Sequence, residues 1–261
     1  MITPIPFDPA RFRSAAPHYL SGRPSYAPTL IARVAQICGL NGSRRLLDLG
    51  CGPGVLAMAL APYVADVLAI DPEPEMLAEG QKLAAGLAVK FTQGSSLDIT
   101  PDWGRFAMVA IGRAFHWMDR VAVARALDAL VEPGGAVVLF RTDHPDVPDN
   151  AWRVPYHAVI DSATGAGQRA AWRRPGWVSH EAVLLDGPFC VLERVGVIER
   201  VRTPSALMID RALSMSSSTQ TRLGTGVAAL RASVAAAVAA ATVDGLVTEV
   251  VESVALIARR P

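Results

Sequence analysis

The chain is poor in the features that mark several common classes of protein. Its three cysteines, Cys38, Cys51 and Cys190, lie far apart with no C-x-x-C pair. That argues against a disulfide framework and against a zinc site, and fits a reducing cytoplasm. Charge is scarce, at 19% of residues, and nearly balanced, at +1. A nucleic-acid partner would call for a basic stripe, so none is expected. No uncharged apolar run reaches the roughly 18 residues of a membrane span. The alanine-rich stretch from Ala232 to Ala241 is shorter and is flanked by Arg231 and Asp244. The first 28 residues hold six prolines together with Asp8, Arg11 and Arg13, so no signal-peptide core forms there. A cytoplasmic protein with no membrane and no metal is expected. What the chain does have is apolar content, 51% over 261 residues, enough for one large core.

Periodicity places that content in alternating elements. Leu30, Ile31, Val34 and Ile37 have helical spacing, ended by Gly39 and Asn41-Gly42. Leu46 to Leu49 reads as a short strand buried on both faces except at Asp48. Helices over 55–61, 74–85 and 121–130 alternate with strands over 67–70, 89–91, 106–111 and 136–140. This rhythm predicts βαβ units and a parallel sheet. It breaks after Phe140. Residues 141–188 hold five prolines and three of the five tryptophans, Trp152, Trp172 and Trp177. They read as an insertion over the ligand face of a single domain spanning 1–261, with residues 1–40 as an amino-terminal helical cover. Two last strands are expected near 189–201 and 250–258.

The most informative segment is Leu46-Leu47-Asp48-Leu49-Gly50-Cys51-Gly52-Pro53-Gly54. A strand ends in glycines at every second position and a helix follows. Gly50 and Gly52 tolerate positive φ and carry no Cβ to block a ligand. At the end of the next strand stands Asp71, whose carboxylate can accept hydrogen bonds from ribose hydroxyls. Open α/β sheets bind nucleosides at such a place. Two alternatives compete. Asp71 can simply cap the helix that follows, or the turn can belong to a nicotinamide dehydrogenase. The latter uses G-x-G-x-x-G, with the helix start facing a pyrophosphate. The spacing here is G-x-G-x-G, which favours a nucleoside without phosphate.

These residues resemble the first motif of the class I S-adenosylmethionine methyltransferases, and further motifs extend the likeness along most of the chain. Asp71-Pro72-Glu73-Pro74-Glu75-Met76-Leu77 is similar to the family's second motif. Gly94-Ser95-Ser96-Leu97-Asp98 is similar to its third strand end, and Leu130 to Gly135 to its turn before strand five. Ala114-Phe115-His116-Trp117-Met118-Asp119 resembles the A-x-H-W-x-D of a small-molecule branch, the trans-aconitate and ubiquinone-biosynthesis methyltransferases. Tyr19, Arg23-Pro24 and Tyr26 resemble that branch's amino-terminal Y-x-x-x-R-P-x-Y. The resemblance implies a Rossmann-like α/β sheet of seven strands in the order 3-2-1-4-5-7-6 with strand seven antiparallel. It implies S-adenosylmethionine as cofactor, met by Tyr19, Arg23, Gly50, Cys51, Gly52, Gly54, Asp71, Pro72, Met76, Ser95, Ser96, Leu97 and Gly112. Two positions depart from the pattern. Ala107 stands where strand four usually has an acid, and Arg113 where the branch has a small or neutral residue.

Arg113 at a strand end can meet a substrate carboxylate or the cofactor's own carboxylate, or point to solvent. His116 is the candidate general base for the methyl acceptor; the alternative is a histidine that only shapes the pocket. Trp117 is either packing or a substrate wall. Asp119 is placed to cap the next helix. In the insertion, Trp152, Tyr156, His157, Trp172 and Trp177 offer flat apolar surface for an acceptor, or form the insertion's own small core. Arg173-Arg174 can hold an anion or be solvated. The expected function is methyl transfer to a small, partly apolar molecule, with O-, N- and C-acceptors all open. A cofactor-binding protein without transfer activity and an RNA methyltransferase are the competing readings.

Overall fold

The computed structural model describes residues 8, 12–165 and 177–261. Arg169, Trp172, Arg173 and Arg174 lie outside the described residues. In chain order the elements are α1 (Ala16–Gly22), α2 (Pro28–Ile37), β1 (Arg45–Leu49), α3 (Val55–Leu60), β2 (Asp66–Asp71), α4 (Pro74–Leu83), β3 (Val89–Gln93), β4 (Phe106–Gly112), α5 (Arg120–Leu127) and β5 (Val131–Asp143). There follow α6 (Arg153–Thr164), α7 (His180–Leu185), β6 (Val191–Pro204), α8 (Ser205–Leu213), α9 (Gln220–Leu223), α10 (Val227–Ala239), β7 (Thr242–Val243) and β8 (Leu246–Arg259).

One sheet runs β3-β2-β1-β4-β5-β8-β6. The first five strands pair in parallel, and β8 is antiparallel to both β5 and β6. This is the expected order with the expected antiparallel strand, plus one short addition. β7 pairs with the start of β8 through Asp244 and Gly245, both at positive φ. An Asp-Gly pair in that conformation makes the two-residue turn whose twist suits a hairpin. The sheet therefore has eight strands, one more than expected.

Alternate residues of the central strands feed two apolar layers. Leu46, Met108, Ala110, Val138 and Phe140 face one side with α2 and α3. Leu47, Leu49, Val109, Ile111 and Leu139 face the other with α5. The period of two along each strand dictates this division. Asp119 accepts from the Ala122 amide at 3.0 Å and so caps α5, as its position in the sequence implies. Residues 1–40 divide in two. Leu30, Ile31 and Val34 of α2 belong to the first core layer, whereas α1 lies over the ligand edge.

A third cluster is mostly helical and takes Val247 from β8. Trp152, Tyr156 and Ile160 of α6 and its start recur at every fourth residue, as do Leu230, Val234 and Val238 of α10. Each set forms one helix face, and the two close on Met208, Ala212 and Leu213 of α8. α8 is tied to α1: His18 Nδ1 lies 2.8 Å from Asp210 Oδ1, and Arg211 Nε donates to the Gly22 carbonyl at 3.0 Å. Beneath it Glu249 of β8, 1% exposed, accepts from Arg211 Nη1 at 2.8 Å, Arg211 Nη2 at 3.0 Å and Thr203, and lies 2.7 Å from His144 Nε2. Burial alone would raise this carboxyl. The hydrogen bonds from His144 and Arg211 outweigh burial and hold it at about 2.

Candidate active site

The glycine turn joins β1 to α3 at the carboxyl end of the sheet. Gly50, Gly52 and Gly54 have φ of 72°, 55° and 78°, a region costly for residues with a Cβ. Their surroundings differ. A Cβ on Gly50 would lie 2.6 Å from the Ala114 Cβ, and one on Gly54 2.6 Å from the Phe91 ring, whereas one on Gly52 would meet nothing within 4 Å. Gly50 and Gly54 are thus demanded by packing, and Gly52 is the open side of the turn.

Asp71 braces that turn. Its Oδ2 accepts from the Gly52 amide at 2.8 Å and its Oδ1 from the Glu73 amide at 2.9 Å. The second bond reaches the residue before α4 and is not a cap: Glu73 is the N-cap of that helix, which has no side-chain cap, so the capping alternative is not the role of Asp71. Burial raises the carboxyl to about 6, against the opposing effect of the two amides.

Asp48, the polar exception in buried β1, joins the candidate site. It is 1% exposed. Oδ2 accepts from the Ala57 amide at 2.9 Å, and Oδ1 is buried without a partner. Burial, reinforced by the charge of Asp71, raises it to about 7 despite the amide. It lines a cavity of about 10 Å³ with Tyr19, Gly50, Cys51, Gly112 and Arg113. A buried carboxylate oxygen with no donor is a place for a cation or a hydrogen-bond donor.

A larger cavity, about 430 Å³, opens at the carboxyl ends of β4 and β5 and along Val254 and Leu256 of β8. His116, Trp117, Arg113, Tyr19, Arg23 and His180 are in its wall. His116 and Trp117 sit on a 3-10 turn just past β4, their rings 4.5 Å apart. Phe12 meets Trp117 edge-on at 5.9 Å, bringing the amino-terminal segment to the rim. Arg113 has φ of 54°, a strained conformation for a side-chain-bearing residue. Its guanidinium lies 4.6 Å from the Tyr26 ring centroid, and Nη2 donates to Thr142 Oγ1 at 2.9 Å and to the Pro24 carbonyl. It points into the protein, not to solvent. Arg23 Nη2 donates to the Ser214 carbonyl at 2.9 Å while Nε is buried unpartnered. Tyr19 and Arg113 line both cavities; the smaller one lies at the carboxyl ends of β1 and β4, where the strand order of the sheet reverses and ligands of open α/β sheets bind.

Other predicted residues lie elsewhere. Trp152 and Tyr156 do not line either cavity. They are 4% and 0% exposed in the third cluster, and the Tyr156 hydroxyl donates to the Met208 carbonyl at 3.0 Å. Their assignment to the acceptor wall is corrected, and so is the alternative of a core private to the insertion: they pack in a core shared with α8 and α10, as their spacing of four along one helix face allows. Met76, 2% exposed, packs with Ala15 and Ala16, so contact with a ligand requires displacing the amino-terminal segment. Ser95 is turned to its own loop, its amide and hydroxyl both donating to Asp98 Oδ2 at 2.7 and 2.8 Å. Ser96 and Pro72 are half-buried, and Leu97 is 71% exposed at the end of β3.

Residues 46–135 match a family model described as a methyltransferase domain. An uncharacterized methyltransferase of Mycobacterium tuberculosis is 35% identical over 129 residues, 49% of this chain and 50% of the relative. A ubiquinone biosynthesis O-methyltransferase of Pseudomonas aeruginosa is 34% identical over 116 residues, 43% of this chain and 50% of the relative. The chain thus matches about half the length of these curated relatives. Among solved structures, an S-adenosylmethionine-dependent methyltransferase of Geobacter sulfurreducens, solved with S-adenosylhomocysteine, superposes with a TM-score of 0.56 at 16% identity, over 99% of both chains. The likeness to that structure is one of fold.

Proposed function

We propose that this chain, whose residues 46–135 match a methyltransferase domain, transfers a methyl group from S-adenosylmethionine to a small, partly apolar acceptor. The observation that carries the reading is the open glycine turn, with Asp71 at the next strand end, set beside a cavity of about 430 Å³ walled by His116 and Trp117; Tyr19 and Arg113 line both that cavity and the water-sized space at Asp48. A donor held along the turn and an acceptor in the cavity is the arrangement a group transfer needs. The volume of that cavity is in the range of small-molecule sites.

The residues fit the cofactor. Gly52 leaves the turn open, Asp71 would receive the ribose hydroxyls, and the orphan Oδ1 of Asp48 suits a cationic amino group. Such a cation would return Asp48 to its ionised form. Arg113, held by Pro24, Thr142 and Tyr26, would offer its remaining donors to a carboxylate. When bound, S-adenosylmethionine supplies an electrophilic methyl carbon. The chain's own contribution is alignment, exclusion of water by Tyr19 and Phe12 from the amino-terminal segment, and removal of the acceptor's proton by His116.

Calorimetric titration with S-adenosylhomocysteine, with NAD as control, tests the cofactor class. Micromolar binding of the former alone is expected; its absence would overturn the reading. His116→Ala should lower turnover by about 10²- to 10⁴-fold, the usual worth of general acid–base catalysis, and leave S-adenosylhomocysteine affinity nearly unchanged. If turnover persists, His116 shapes the pocket and takes no proton.

A further inference from the structure

His180, absent from the sequence reading, stands in the wall of the larger cavity. Its ring is nearly parallel to that of His116, 6.5 Å away, and meets Phe115 edge-on at 5.2 Å. Nδ1 lies 3.1 Å from Nη1 of Arg120. A guanidinium only donates, so Nδ1 accepts and the ring's single proton sits on Nε2. That nitrogen has no partner among the described residues.

Arg120 is unusual in its own right. It is 3% exposed, lies 4.1 Å from the Trp177 ring centroid, and donates through Nη1 to the Val178 carbonyl at 2.6 Å. Its Nη2 is buried without a partner. No carboxylate pairs with it among the described residues, and the remaining stretches of the sequence contain no Asp or Glu. A buried charge without a counter-charge is costly and is ordinarily compensated. The cavity walls add to the imbalance. Arg23, Arg113, Arg141 and Arg194 line it against Glu181; Arg194 is engaged by Glu181 at 2.5 Å and Arg141 by Asp143 at 3.0 Å, while Arg23 and Arg113 pair with no carboxylate among the described residues. Such a surplus raises the local concentration of anions.

We propose that His180 is the anchoring donor of the acceptor subsite: Arg120 holds it as the Nε2–H tautomer, and it seats acceptors through an anionic oxygen such as a carboxylate. This rests on the reading of the larger cavity as the acceptor site. The groups around His180 agree with it. Burial, then Arg120 from α5, lower its pKa to about 4, with Arg141 from β5 acting the same way and the neighbouring Glu181 opposing them. His180 therefore stays a neutral donor at working pH, and the proton-accepting role proposed above stays with His116. An anion bound at Nε2 would also supply the counter-charge that Arg120 lacks.

Nitrogen-15 NMR of the histidine side chains of the whole chain, with benzoate and its neutral analogue benzamide as probes, tests this. His180→Gln identifies the signals. The expected spectrum is the Nε2–H tautomer, with no titration between about pH 5 and 8, where an unperturbed histidine titrates. Benzoate should move these signals and benzamide should not. His180→Leu should weaken benzoate about tenfold, as loss of a charge-assisted hydrogen bond does, while His180→Gln retains a donor and most of the binding. Arg120→Gln should let His180 titrate nearer its ordinary value. An Nδ1–H tautomer, or benzoate binding unchanged in His180→Leu, would overturn the proposal. S-adenosylhomocysteine is titrated in parallel. If it binds and benzoate does not, the anion subsite fails alone. If benzoate moves His180 and S-adenosylhomocysteine does not bind, the anion site stands and the methyl-transfer reading fails.

Discussion

Replacing Asp71 with alanine is expected to weaken S-adenosylhomocysteine binding about 100-fold or more. The carboxylate has two tasks. It holds the Gly52 amide at 2.8 Å, keeping the open side of the turn in shape, and it would accept the ribose hydroxyls. A hydrogen bond to a charged group is worth about 1.5–3 kcal/mol, and roughly 2.7 kcal/mol is a hundredfold in affinity. The pH dependence has a definite sign. With the carboxyl raised to about 6, the ionised form dominates above that value. Affinity should therefore fall as pH drops from about 7 to 5, and Asp71→Asn, which cannot titrate, should lose this dependence along with part of the affinity. Calorimetry across that range checks both statements; an unchanged Kd for Asp71→Ala would remove the ribose role.

Glu249→Leu should be the most destabilising of the changes considered, by about 3–5 kcal/mol, because it strands Arg211 in the interior. In a chain of this size that lowers Tm by roughly 10 °C. Replacing both Glu249 and Arg211 with apolar residues should recover much of the loss, since the desolvation of both charges is then avoided. Here too the pH sign follows from linkage. The folded carboxyl lies at about 2 against an ordinary 4.5, so its contribution is complete above 4.5 and is lost as pH falls towards 2. Asp48 and Asp71 act oppositely: their raised values mean the folded state gains relative stability as pH falls through about 7 and 6. Acid denaturation of wild type and Glu249→Gln, followed by circular dichroism, should differ in the window between about pH 4.5 and 2. The effect reaches the site, because Arg211 also holds the Gly22 carbonyl at the end of α1, the helix that carries Tyr19.

Local spacing explains what could be read in advance. The strand, the alternating glycines, the acid at the next strand end and the cap at Asp119 are each set by residues within a few positions of one another. Their conformational demands survive in any fold that keeps the segment intact. The Asp244-Gly245 hairpin was equally local, yet was passed over beside the alanine-rich helix. Trp152, Tyr156 and Ile160 recur at a period of four, and of the two roles open to the aromatics, acceptor surface or core, that period fits the core.

The sequence by itself determined the βαβ alternation, the glycine turn and the place of an acid at the next strand end, because backbone geometry and side-chain period require no distant partner; that Asp71 holds the Gly52 amide, 19 positions away, waited on the pairing of β1 with β2. Only the tertiary structure decided that Asp48 keeps an unpartnered oxygen beside Gly112, that Arg113 is bound back to Pro24 and Thr142, and that Arg120 stands behind His180. Arg120 and His180 are 60 positions apart and Arg113 and Pro24 are 89 apart. Their charge states and tautomers follow from burial and from partners that meet only when the sheet has assembled.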